Sequence, residues 1–182
     1  MTDEKTTLRS AVESRGALAV WDLMTDDEKK ASAAALWKNA DLESRMAVEM
    51  LVAKEMKFRP QSVRKLSAEK VAPRLARMAD GLPETVFFQF LFHLHMAQRR
   101  ELMVEYLDAV GLPHNEGVLE LPEDAEAPTE EAAAGPAREL AAEHGREGLV
   151  YLATLAVADA DFWAGMLSVL DEWDENGEAL EA

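Results

Sequence analysis

Residues 86–97 read VFFQFLFHLHMA. Drawn as a helix, the stretch carries Phe87, Phe88, Phe90, Leu91, Phe92 and Leu94 on nearly every side. A helix without a polar face is a buried one, so this segment is expected at the centre of the core. On that reading at least three of Phe88, Phe90, Leu91 and Phe92 are almost fully buried. Gln89, His93 and His95 interrupt the run, which is too short and too polar to span a bilayer.

Helical signals continue toward the N-terminus. Thr25-Asp26-Asp27-Glu28 is a capping-box pattern that opens an alanine-rich helix over 26–39. Asp41 can cap a helix over 42–58. There Leu42, Met46, Met50 and Ala53 form one apolar stripe, widened by Ala47 and Leu51, which is expected to face the core. Pro60 stops that helix, and 62–66 can form a short turn. Ser67 caps a helix running to 79, in which Pro73 either makes a kink or begins the helix at N1. The stretch 5–23 reads as one or two helices with Gly16 as the weak point.

Toward the C-terminus, Gln98-Arg99-Arg100-Glu101 predicts a break or a change of buried face. The next helix runs to Val110, with Gly111 at its end and Pro113 preventing continuation. His114-Asn115-Glu116-Gly117 reads as a polar turn, with Asn115 and Gly117 suited to positive φ. Residues 119–136 hold six carboxylates, no basic residue and prolines at 122, 128 and 136, so they read as an acidic surface loop with a helical turn near 130–134. Helices are expected again over 136–144, 146–158 and 161–174. The last carries Phe162, Met166, Val169, Leu170 and Trp173 on one side, an arc that either docks on the core or forms a homodimer surface. Strand signals are almost absent, and no residue pattern repeats.

These elements predict an all-α chain of about seven to nine helices, packed as an irregular bundle or a short stack of helical hairpins. The expected layout is one domain over 1–176, helical to 113, with the acidic loop over 114–135 and helices over 136–176. Residues 177–182 are expected to be a disordered tail.

The chain has 182 residues, of which 48% are hydrophobic, 30% are charged and none is cysteine. Disulfides, thiolate metal sites and cysteine nucleophiles are thereby excluded. The net charge is −16 and unevenly placed. Residues 1–115 hold 17 basic and 17 acidic groups, whereas 116–182 hold 2 basic and 18 acidic ones. Within the neutral part, 54–77 has eight basic residues against Glu55 and Glu69. The acidic third repels phosphate backbones, and the basic stretch has only Phe58 among its charges, so nucleic-acid binding is disfavoured. The first residues are acidic and lack an apolar h-region, which points to a soluble, cytoplasmic chain without membrane association.

His93 and His95 lie about 200° apart on a helix, so both cannot ligate one ion there. Neither HExxH nor ExxH occurs, and nucleotide-binding, nucleophile-elbow and EF-hand patterns are absent. No catalytic residue, metal site or cofactor is therefore assigned. Thr85, Gln89, His93 and Arg100 wind a polar stripe along the apolar segment, facing solvent, an internal network or a cleft. In a cleft, Arg99 or Arg100 would hold an anion as a planar fork, and His93 or His95 would exchange protons near neutrality. The candidate ligand-binding set is thus Gln89, His93, His95, Arg99 and Arg100, with His114 in the polar turn.

Three functions fit these residues. The leading one is a non-catalytic protein–protein interaction or structural module, with a protein partner or self-association as a homodimer. The second is a small-molecule or metal-binding protein, possibly an enzyme, centred on His93, His95, Arg99 and Arg100. The third is an acidic surface that binds a basic partner or mimics nucleic acid.

Overall fold

The computed structural model describes residues 6–180. The fold is all-α, with eleven α-helices and a two-residue-per-strand hairpin among the described residues. One-turn helices and a break at Gly16 raise the helix number above the expected range. The chain gathers into two compact units: residues 25–98, the inserted unit, and residues 6–24 with 99–180, the terminal unit. No described helix is long and apolar enough to cross a membrane.

The inserted unit holds α3 (Asp26–Asn39), α4 (Leu42–Met56), α5 (Pro60–Val63), α6 (Ala68–Arg77) and α7 (Glu84–Gln98). Thr25 and Glu28 close the capping box of α3 in both directions. Its alanines bring α6 and α7 close on either side, over a core of Leu36, Val71, Leu75, Phe90, Leu91 and Leu94. The Ser32 hydroxyl donates to the Phe90 carbonyl, so the buried polar group on α3 is satisfied by α7. Pro73 neither starts nor stops α6, which runs through it.

Two expectations fail in this unit. The buried residues of α7 are Val86, Phe87, Phe90, Leu91, Leu94 and His95, which form one face. Phe92 is 36% exposed and Phe88 is half-buried, so two of the four named side chains are fully buried, not three. In α4 the expected stripe holds only at Ala53. Ser44, Val48, Glu49, Val52 and Ala53 face inward, while Leu42, Met46 and Met50 face outward. Val48 and Val52 make a second i, i+4 apolar pair, and Glu49 can accompany them because two guanidiniums neutralise it. Arg64 donates to both Glu49 oxygens at 2.9–3.1 Å, and Arg45 Nε donates to Oε1 at 3.1 Å. Arg45 also stacks 5.5 Å from the Trp37 ring.

The terminal unit holds α1 (Leu8–Arg15), α2 (Ala17–Leu23), α8 (Arg100–Val110), β1 (His114–Asn115), β2 (Val118–Leu119), α9 (Glu130–His144), α10 (Arg146–Ala158) and α11 (Leu167–Leu170). Helix α10 is its core, with every residue from Gly148 to Thr154 buried. Gly148 permits this: a Cβ there would stand 2.7 Å from the Leu140 carbonyl oxygen of α9. Tyr106, Tyr151 and Trp163 form an aromatic cluster with ring centres 5.8–6.0 Å apart.

The acidic loop is shorter than expected. Thr129 caps α9, which continues through Pro136 as a single helix. The polar turn is a hairpin, with Glu116 and Gly117 at positive φ and Asn115 in the strand. This is the two-residue loop whose twist suits paired strands. The expected helix over 161–174 is a 3-10 turn at Ala164–Met166 followed by the short α11. Gly165 lies against the backbone of Pro128 and Thr129, too close for a Cβ. Met166, Val169 and Leu170 of the arc are buried, as is the neighbouring Trp163, whereas Phe162 and Trp173 are half-buried. Residues 177–180 are not free either: Asp174 N–H donates to the Glu178 carbonyl, and Leu180 N–H to that of Glu172. The remaining two tail residues lie outside the described range.

Candidate interaction face

The six candidate ligand residues divide between the units. Gln89, His93 and His95 lie on α7 in the inserted unit, whereas Arg99, Arg100 and His114 belong to the terminal unit. Arg100 is ion-paired with Glu116 of the hairpin. Gly117 N–H donates to His114 Nδ1 at 3.2 Å, which leaves Nε2 to donate to Asp108 at 3.1 Å. These contacts pin the hairpin to α8, so both residues are occupied by local structure. Arg99 is buried, with Nη2 4.0 Å from Glu147. His95 is buried, and Gln89 and His93 are half-buried. Burial lowers the His93 pKa, and the charge of Asp41 partly opposes it.

Two further clusters were not legible in the sequence, because their members come from different helices. Glu105 of α8 and Glu143 and His144 of α9 place three donor atoms within 4.8 Å of one another. His144 Nε2 donates to Glu105 at 2.9 Å, so these two side chains hold each other by a hydrogen bond. A divalent ion would find two carboxylates and one imidazole there, the ligand types that suit zinc or manganese. An open cleft beside the start of α3 is lined by Asp26, Lys29, Lys30, Pro73, Ala76 and Arg77. Lys30 is turned toward Asp27 at 3.4 Å, so its cations are already partly answered.

The outward face of α4 is the feature the sequence reading placed on the wrong side. Leu42 is 75% exposed, Met46 51% and Met50 65%. Two turns beyond Met50, the helix ends at Lys57 in the left-handed conformation, followed by Phe58 at 49% exposure. Helix α7 touches α4 within the inserted unit. Asp41 at the start of α4 acts electrostatically on His93, and Leu51 lies 4.0 Å from where a Cβ on Gly81 would stand. The face has a charge direction: Asp41 and Glu43 lie at one end, Lys54, Lys57 and Arg59 at the other, all exposed. Among the described residues, Glu43 and Lys54 make no ion pair.

Compared with known protein families, curated proteins and solved structures, the chain matches none.

Proposed function

We propose that this protein is a non-catalytic protein–protein interaction module that receives an amphipathic helix along the outward face of α4. The observation that carries the reading is the row Leu42, Met46 and Met50, exposed at i, i+4 and i+8 on a helix whose other side is packed. Anchors at this spacing are how a helix meets another helix. Methionine suits the task, because its unbranched thioether chain adapts to the surface it meets. The opposed charges at the two ends supply orientation rather than affinity.

The test replaces Met50 with a photo-crosslinking residue in the full chain. The expected product is one polypeptide adduct, mapped by mass spectrometry to a helical segment and lost when Met46→Lys is added. The same residue placed at exposed Lys30 should give no such product. Equal labelling at both positions rejects the reading.

A further inference from the structure

We infer that the helix received by α4 is α4 of a second copy, laid antiparallel about a two-fold axis. This rests on the reading of α4 as a docking face and names its occupant. The outward side of α4 runs Glu43, Met46, Met50 and Lys54, all exposed, with half-buried Ala47 among them, at the spacing that keeps one face of a helix together. Turned end for end and laid on itself, this row matches. Glu43 meets Lys54 of the second copy, Ala47 meets Met50, and the two-fold repeats each pair. The small Ala47 makes room for the Met50 side chain, with Met46 beside them at the centre. A parallel arrangement would set Glu43 against Glu43 and Lys54 against Lys54, so the charges select the antiparallel one.

The two groups cannot satisfy each other within one chain. They are eleven positions apart on one helix, about 16 Å along its axis. Exposed ion pairs contribute little each, so the apolar row of α4 supplies affinity and the charges supply register. The −16 of the chain lies in residues 116–182, whereas residues 25–98 carry twelve basic and ten acidic groups. The unit that carries α4 is thus itself nearly neutral. A self-complementary patch is what a two-fold dimer requires.

Sedimentation velocity of the full chain, from about 1 to about 200 µM, tests this. The parent should be a dimer at the upper end. Glu43→Lys and Lys54→Glu should each weaken it by at least about tenfold, since each creates two like-charge contacts. An equimolar mixture of those two variants should associate again, because both pairs become attractive, and the double variant should dimerise alone. Met46→Lys with Met50→Lys should abolish the dimer. A chain that stays monomeric throughout, while the Met50 crosslink still forms, overturns the second copy and leaves the docking face standing. A dimer that survives the two methionine substitutions overturns the dimer mode. Failure of the mixture to associate overturns the antiparallel register.

Discussion

Helices α7 and α10 are both apolar in sequence, and their fates differ. Helix α10 is buried without interruption from Gly148 to Thr154, whereas α7 leaves Phe92 exposed and Phe88 half-buried. Side-chain size accounts for the contrast. Gly148, Ala153 and Ala156 let neighbours approach α10 closely from several directions, as the 2.7 Å space at Gly148 records. The phenylalanines of α7 are wide, and α3 and α4 cover only part of its circumference. Apolarity all round a helix says that it should be covered. It does not say that the same chain has enough elements to cover it. The outward row of α4 is the surface to which we assign a partner.

The largest effects should come from the covered side of this contrast. Phe90→Ala and Leu152→Ala each remove a side chain with no exposure, and each should cost about 3–5 kcal/mol in chemical denaturation. A cost below about 1 kcal/mol at either site would mean that the helix is not packed as described. Next comes Gly148→Ala, expected to cost about 1–3 kcal/mol because the new Cβ meets backbone rather than a movable side chain. Urea midpoints will show whether α9 and α10 are as close as that.

Glu49 gives an effect that depends on pH. Burial pushes its pKa up, but the hydrogen bonds and charges of Arg64 and Arg45 outweigh this and hold it below the ordinary value. A carboxylate with a depressed folded pKa stabilises fully above its unfolded value and loses that contribution as pH falls through the folded one. Glu49→Gln should therefore cost about 1–3 kcal/mol near neutrality, moderated by the exposure of Arg64, and the gap from the parent should narrow in acid. A gap independent of pH would remove the ionised carboxylate from the account. The smallest effects belong to the open side. Phe92→Ala should cost less than about 1 kcal/mol and Met50→Lys less than about 0.5 kcal/mol, measured at dilutions where the chain is monomeric. Large losses there would show that the face is covered within the chain.

Much of the local structure was legible. The capping box at Thr25, the Asp41 cap of α4 and the Gly111 stop of α8 all stand where the sequence reading put them, because each depends on residues within a turn of one another. The candidate site was not. Helix α4 carries two competing apolar rows, Leu42-Met46-Met50 and Val48-Val52, and periodicity cannot rank them. Glu49 is buried with the second row, and its partner Arg64 lies fifteen positions away. The cluster of Glu105, Glu143 and His144 escaped for the same reason, since its helices meet only in the fold. The amino-acid sequence by itself determined the helical class, most helix starts and the charge imbalance, which follow from contacts within a few residues and from composition. Only the tertiary structure decided which side of α4 faces water, because that depends on a charge neutralised and a core filled by residues far along the chain.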